Sequence, residues 1–258
     1  MAMGRESGQS TVETALTLPL VIFLILGTLQ LFMLSQSRLL AQYAVFQATR
    51  VGSVNHGACT PMTHAAILSV LPMVHSFLGD STGPGDTAGA RLGRAFGRFR
   101  DNHYRGYRGP GWKDVGSDQE ALVWLVREQP RPTPQDVIAF DQPLPRADRA
   151  DPLRLEVRMV FWAPLRIPFA DWVFSRIAAA RLGIQAYTAQ NPLFLAERAD
   201  WELETPSLAA RTSAELQRRL SLGHYTFPIE VTSTMRMMTP PRLSEFAAAE
   251  CAAPGFRP

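Results

Sequence analysis

The sequence predicts an α+β protein, in which a single N-terminal transmembrane helix extends into a long helix and is followed by an exported domain with a small antiparallel sheet and several helices. An uncharged apolar run near the N-terminus predicts the membrane helix. Two later segments alternate apolar with polar residues, which is typical of strands with one buried face. The chain of 258 residues is long enough to form a sizeable core beside the span.

The membrane helix is predicted from the run Thr14 to Leu34, which contains no charged residue. Its length matches the roughly 20 residues that a helix needs to cross a bilayer. The next residues keep a helical spacing of apolar side chains, at Leu39, Tyr43 and Phe46. We therefore predict one transmembrane and extended N-terminal helix over residues 9–55. A cleaved secretory signal is the alternative, although its apolar region would be shorter.

The charges beside the span predict its orientation. Arg5 and the terminal amine lie in the leader of residues 1–8, and positive charge keeps a short flank in the cytoplasm. Arg38 and Arg50 on the other side of the span reduce this asymmetry. We expect a single-pass inner-membrane protein with a cytoplasmic N-terminus, and an exported α+β domain over residues 56–258.

A carboxylate, that of Glu13, lies at the leading edge of the span, five residues after Gly8. Inside the hydrocarbon region a charge costs about a few kcal/mol on insertion scales. At the level of the lipid headgroups, the same carboxylate would be solvated and harmless. The position of Glu13 therefore calls for either a partner charge or a place at the bilayer surface.

The sequence around this carboxylate resembles the class III signal of type IV pilin-like proteins, in which a polar leader ends in glycine directly before an apolar run. The resemblance implies that a prepilin peptidase cuts after Gly8, so that Gln9 becomes the N-terminus and Glu13 the fifth mature residue. The free α-amine of a neighbouring subunit would then offset the charge of Glu13 in a packed helix bundle. Major pilins usually have phenylalanine at the position of Gln9, which puts N-methylation in doubt.

More narrowly, "STVETALTLPLVIFLILGTLQLF" resembles the start of TadE-like minor pseudopilins of tight-adherence (Flp) pilus systems. The matching features are the pair Val12–Glu13, the step from Leu16 to Pro19, and Gly27 within the span. The late segment "IEVTSTMRMMTPP" is loosely similar.

The TadE-like resemblance implies a minor pseudopilin-type structural component of a pilus or secretion-filament assembly machinery, which packs through its N-terminal helix. Its implied partners are a prepilin peptidase, other pilin or pseudopilin subunits and the inner-membrane assembly platform. The bulk of the chain would be periplasmic or part of a surface filament, and no cofactor is implied.

The first part of the exported domain combines a helix with an unusual basic segment. Thr60–Pro61 is a favourable helix start, and the helix is predicted to reach about Leu78. Residues 80–115 are expected to be irregular and rich in Arg, Gly and aromatic residues. We favour a solvated loop that packs its rings on the domain, with contact to anionic lipid or other polyanions as the alternative and nucleic acid as unlikely. The candidate contact residues are Arg91, Arg94, Arg98, Arg100, Arg105 and Arg108.

The middle of the domain contains a predicted helix, a connection and a strand. Ser117 and Glu120 form a capping box before "ALVWLVRE", which predicts a short helix. Residues 129–152 form a Pro-rich connection, and the alternation from Leu153 to Phe161 predicts a strand.

The last third of the chain is predicted to contain two helices and two strands. "FADWVFSRIAAARLG" reads as an amphipathic helix that stops at Gly183, followed by a short strand in "GIQAYTA". Its apolar face is expected to meet the core, with a membrane or partner subunits as alternatives; that face contains Phe169, Trp172, Val173 and Ile177. Residues 206–222 are predicted to be helical, and the strand of residues 225–237 can pair with residues 153–162.

The sequence contains few groups suited to catalysis. The two cysteines, Cys59 and Cys251, can form a disulfide in an oxidising compartment or remain two separate thiols. The five histidines have no ligand-like spacing, and no nucleophile or phosphate-binding motif is present. We therefore expect no enzymatic activity, no metal and no cofactor. The alternative function is an unprocessed single-span membrane-anchored binding module that uses the Arg/aromatic segment on a polyanion or lipid.

Overall fold

The computed structural model describes residues 7–75, 87–105, 121–132, 134, 137, 153–190, 208–247 and 250–251. The predicted capping box, Arg108 and most of the Pro-rich connection lie outside these residues.

The first element is helix α1, Ser7–Val54, which has 48 residues. At 1.5 Å per residue it is about 72 Å long, more than twice the thickness of a bilayer core. Within the described residues it is the one helix long and apolar enough to span a membrane. The prediction that a single apolar helix continues beyond the membrane into the domain is confirmed. Of the side chains from Val12 to Leu29, none is buried, and the domain contacts α1 from Gln30 onward.

The domain is built on an antiparallel sheet with the strand order β3-β2-β1-β4. The strands are β1 (Val123–Gln129), β2 (Arg154–Pro164), β3 (Thr226–Arg236) and the two-residue β4 (Glu250–Cys251). In the registers of the two long pairs, Met159 lies opposite Val231 on β3 and Leu125 on β1. The predicted pairing of the two long strands is confirmed.

The predicted helix in "ALVWLVRE" is wrong, because this segment forms β1 at a central position of the sheet. Val123, Trp124 and Leu125 are buried in succession, since helices cover both faces of the sheet here. A short apolar run that is buried on both sides loses the alternation that marks a half-exposed strand. Its spacing alone therefore cannot distinguish it from a buried helix.

One face of the sheet is covered by α1, α2 (Cys59–Val74) and α3 (Ala88–Arg105). The residues of α1 that face the sheet are small and include Ala41, Ala44, Ala48 and Gly52. A Cβ on Gly52 would lie 2.6 Å from Met62 Sδ and 2.9 Å from Leu155 Cδ2. Real Cβ atoms do not come this close to other atoms, so α1 approaches the sheet closely only because this position lacks a side chain.

Helix α3 corrects the expectation that residues 80–115 are irregular, because an 18-residue helix forms within that segment. Ala95 and Phe99, one turn apart, are buried against the domain. The ring of Phe96 meets that of His64 edge-on at 5.5 Å, and Phe99 meets His75 at 6.4 Å. Tertiary packing of one face thus stabilises a helix whose glycines and arginines favoured a loop.

The opposite face of the sheet is covered by α4 (Ala170–Gln190) and α5 (Leu208–Ser221). The rings of Trp124 and Trp162 meet edge-on at 5.2 Å under these helices. Arg219 on α5 lies 4.3 Å above the Trp162 ring and donates from Nε to Glu215 at 2.7 Å. Its Nη2 group also donates to the Ala121 carbonyl, so this buried charge is paired with a carboxylate and donates to the backbone as well.

Two predictions about α4 are wrong, and one about α5 is confirmed. Helix α4 continues through Gly183 to Gln190, so "GIQAYTA" is not a strand; glycine inside a helix costs only about 1 kcal/mol. The face with Phe169, Trp172 and Ile177 is exposed, because the smaller Ala170, Ser175 and Ala178 meet the domain instead. Helix α5 falls within the predicted residues 206–222 and is followed by Gly223 at φ 78°.

A cross-linked cluster holds the end of the domain that lies farthest from the span. A disulfide joins Cys59 at the start of α2 to Cys251 on β4, with 5.1 Å between their Cα atoms. Beside it, buried Arg127 on β1 donates to the carbonyls of Gly57 at 2.6 Å and Glu245 at 2.5 Å. The Arg127 guanidinium also lies 4.5 Å above the ring of Phe246. The α1–α2 turn, the sheet and the C-terminal segment are therefore held together at one point.

We predict that Gly52→Val lowers the free energy of unfolding by about 1–3 kcal/mol, because the added methyl groups overpack the contact with Met62 and Leu155. Denaturation of the full-length protein in detergent, followed by near-UV circular dichroism, measures this loss. Gly27→Val is the matched control on the same helix, since no atom lies within 4 Å of a Cβ at Gly27. Equal stability of the two variants would contradict the close packing of α1.

A second prediction concerns His103, which is buried on α3 and whose pKa is lowered to about 4, mainly by desolvation and further by His64. Unfolded chains bind a proton at this side chain near pH 6.5, whereas the folded protein binds it only near pH 4. The stability that the neutral form of His103 contributes is therefore fully present above pH 6.5. The free energy of unfolding falls by up to roughly 3 kcal/mol as the pH drops to 4.

The pH dependence is measured by thermal unfolding of the full-length protein in detergent at a series of pH values. His103→Leu should flatten the profile between pH 6.5 and 4, because it removes the titrating group. An unchanged profile in this variant would assign the acid sensitivity to other residues.

Candidate assembly surface on the N-terminal helix

The candidate processing site lies at the start of α1. Gly8 and Gln9 fall in the first turn of this helix, which begins at Ser7. Glu13 is exposed, and its backbone carbonyl accepts a hydrogen bond from Thr17 Oγ1 at 2.8 Å. Glu13 and Gln30 are 17 residues apart, or about 26 Å along the helix axis, which is close to the thickness of a bilayer core. The carboxylate therefore lies about one bilayer thickness away from the domain.

Gln30 marks the point where α1 enters the domain, although by sequence it lies inside the uncharged run from Thr14 to Leu34. Its side chain is completely buried, and its Oε1 accepts a hydrogen bond from the Ile167 backbone at 3.1 Å. The only sequence signal for this contact was a lone amide in an apolar run. The contact fixes the loop before α4 beside the end of the free span.

The side of α1 that faces away from the domain carries large apolar residues. We call Leu39, Tyr43, Phe46 and Val54 the outer stripe; their exposed fractions are 64%, 52%, 44% and 50%. Sequence spacing grouped three of them correctly, but it could not tell whether they faced the domain or solvent. Exposed Arg50 lies between Phe46 and Val54 on this side of the helix, so the apolar part of the stripe is densest from Leu39 to Phe46. A group of exposed apolar residues on a folded chain is typical of a protein or membrane contact.

A groove lies beside α1, where α4 and β3 pass close to it. Its volume is about 560 Å³, and its walls include Leu34 and Arg38 from α1, Leu182 from α4, and Phe227 and Ile229 from β3. The domain thus offers a concave surface that is apolar in part and also contains Arg38, Arg181 and Glu230. The groove and the outer stripe are unlike each other.

The arginines of α3 are separated from the aromatic rings of the same helix. Arg94 and Arg98 are exposed, whereas the Arg100 guanidinium binds Asp101 at 2.8 Å. Phe96 and Phe99 turn inward onto α2. These two rings are therefore unavailable for stacking on bases, and contact of the arginines with a polyanion stays a prediction. The side chain of Arg105 and the whole of Arg108 lie outside the described part of the chain.

The sequence left open whether the two cysteines pair, and the structure shows a disulfide between them. Cys59 and Cys251 are separated by 192 positions, and their proximity depends on β4 pairing with β1 next to the start of α2. Closure of so long a loop contributes about 5 kcal/mol in the chain-entropy model. Arg127, which supports the same region, was missed; in the sequence it is only the first charge after the apolar run from Ala121 to Val126.

Comparison with known proteins gives one match. The family model described as TadE-like protein matches residues 8–50, which is most of α1 and includes Glu13 and much of the outer stripe. No curated protein and no solved structure matches this chain. The amino-terminal helix of this chain is therefore TadE-like over residues 8–50, which confirms the resemblance found in its sequence.

Proposed function

We propose that this protein is a minor pseudopilin-type structural component of a pilus or secretion-filament assembly machinery of the tight-adherence type, and that it packs through α1. The observation that carries this proposal is the outer stripe, which continues the apolar surface of the span beyond the bilayer on a TadE-like helix. An ordinary membrane anchor has no need of apolar residues above the membrane. A helix that joins a bundle does need them.

The energetics of the outer stripe support assembly through several side chains together. Full burial of a Leu or Phe side chain contributes roughly 1.5–3 kcal/mol, and Tyr adds a large ring with a polar end. Tyr43 Oη already accepts a hydrogen bond from Gln47 at 2.6 Å, so this oxygen has a donor partner within the helix before another subunit binds. Unlike surfaces, such as the stripe and the groove, generate open filaments when one copy binds the next head to tail and the rotation between copies does not close into a ring.

The proposed maturation gives Glu13 a partner. Cleavage after Gly8 by a prepilin peptidase would create an α-amine on Gln9 at the depth of a neighbouring subunit's carboxylate. In a water-poor helix bundle, this pair would offset the cost of placing Glu13 in the membrane. Assembly would then involve other pilin or pseudopilin subunits and the inner-membrane platform, and the chain would serve a structural role without catalysis.

The proposed location has the N-terminus in the cytoplasm and the domain in the periplasm or in a surface filament. The disulfide between Cys59 and Cys251 supports this orientation, because disulfides persist in oxidising compartments and are rare in the cytosol. The alternative, an unprocessed membrane-anchored binding module, shares the span but keeps its leader. Whether the leader is cleaved therefore distinguishes the two proposed functions.

We predict that the mature protein begins at Gln9 and that Gly8→Asp blocks this cleavage, because the peptidase site requires glycine at the last leader position. N-terminal sequencing and intact mass of protein from membranes are the measurements. Gly4→Asp, the same substitution within the same leader, is the control and should leave a start at Gln9. An intact leader in the wild-type protein would support the binding module, and a start beyond residue 35 would support a secreted protein.

We also predict that Phe46→Arg abolishes co-isolation with other pilus subunits while the domain stays folded, because Phe46 is exposed in the monomer and buried in the proposed bundle. Gln42→Arg adds the same charge to a neighbouring exposed face of α1 and should leave co-isolation unchanged. Detergent extraction, affinity isolation and thermal unfolding of each variant provide the data. Normal co-isolation of the Phe46 variant would rule out packing through the outer stripe.

A further inference from the structure

We propose that the start of α4 is a membrane foot, formed by Phe169 and Trp172, that seats the domain on the lipid headgroup region of the bilayer crossed by α1. This inference rests on α1 spanning the membrane and does not require cleavage or filament assembly. Its occupant is the exported surface of an anionic lipid bilayer.

The position of the foot follows from the contact between Gln30 and Ile167. The free part of α1, Val12 to Leu29, has 18 residues and is about 27 Å long, which is enough to cross most of a hydrocarbon core. Gln30 follows directly and binds the Ile167 backbone at 3.1 Å. Because consecutive Cα atoms are about 3.8 Å apart, Phe169 lies within about 8 Å of Ile167. The foot is therefore at the level where α1 leaves the bilayer.

The backbone presents Phe169 outward at an energetic cost. Phe169 has φ 67°, a left-handed conformation that is unusual for a bulky residue. Its side chain is nevertheless 75% exposed, so packing inside the domain does not compensate for the conformation. The adjacent Ala170 is completely buried and anchors this turn on the domain. A strained residue that displays a large apolar ring to the surroundings indicates a contact outside the folded chain.

The neighbouring side chains suit a headgroup region. Trp172 is 52% exposed, and aromatic rings of this kind concentrate at the boundary between membrane and water. The Arg176 guanidinium lies 5.9 Å from the Trp172 ring, and exposed Arg166 donates to the carbonyls of Met73 and Val74. Asp171 accepts a hydrogen bond from the Trp172 backbone at 2.6 Å. The two arginines outnumber this one acid, so the foot carries a positive charge that anionic lipids attract.

The foot gives the domain a fixed orientation on the membrane. With α1 alone, the helix and the domain attached to it can tilt and rotate together in the bilayer. A second contact on α4 limits this movement and holds the outer stripe away from the lipid surface. Partner subunits can then approach the stripe along the membrane before assembly begins.

The test uses the full-length protein in vesicles of phosphatidylcholine and phosphatidylglycerol whose acyl chains carry bromine near the headgroup. Bromine quenches tryptophan fluorescence on contact, and Trp172→Phe should lose most of the quenching seen in the wild-type protein. Trp124→Phe is the matched control, because Trp124 is only 7% exposed inside the domain, and it should keep the wild-type quenching. Equal quenching in all three proteins would overturn the proposal.

A second variant separates lipid contact from a structural role of Phe169. Phe169→Gly suits the left-handed backbone, so the melting temperature in detergent should stay equal or rise, while quenching of Trp172 falls. A lower melting temperature with unchanged quenching would show that Phe169 supports the fold instead.

If Trp172 emission shifts to longer wavelength on dilution of the protein in vesicles, without quenching by brominated lipid, the foot binds a second copy and the proposal fails. The Gly8→Asp variant should show the same quenching as the wild-type protein. The quenching test therefore gives its result whether or not the leader is cleaved after Gly8.

Discussion

The close packing of the small-residue side of α1 against the sheet is the constraint on which the rest of the structure depends. Ala44, Ala48 and Gly52 allow the helix to approach closely enough for Met62 and Leu155 to fill the space beside it. With small residues on the inner side, the large apolar residues of the helix must face away from the domain. The outer stripe is therefore a direct consequence of how the domain holds its own anchor.

The ends of this packed region are fixed by different chemistry. Near the membrane, the amide of Gln30 holds the loop before α4, and at the far end a disulfide and buried Arg127 hold the α1–α2 turn to the sheet. The helix between these points is thus attached to the domain along its length. A rigid connection of this kind transmits the orientation of the span to the domain, so that surfaces on α1, α4 and the groove keep constant positions relative to the span.

Local patterns predicted the elements whose environment differs between their two sides. Strands β2 and β3 were predicted because apolar and polar residues alternate along them. Helix α5 was predicted from the signals at its ends, Thr205–Pro206 before it and Gly223 after it. Strand β1 lacks such an alternation, because helices cover both of its sides, and it was therefore predicted as a helix. Helix α3 was missed for a different reason: its stability comes from Ala95 and Phe99 packing on α2, which outweighs the poor helix propensity of its glycines.

By itself, the sequence determined the span, its continuation as a long helix, the two long strands and the TadE-like start, because each depends on residues close together in the chain. Only the tertiary structure decided which side of α1 faces outward, whether Cys59 meets Cys251, and that Phe169 and Trp172 are exposed. These outcomes depend on which surfaces the other elements cover. Distances between residues far apart in the chain, such as Gln30 and Ile167, are set only when the whole domain is packed.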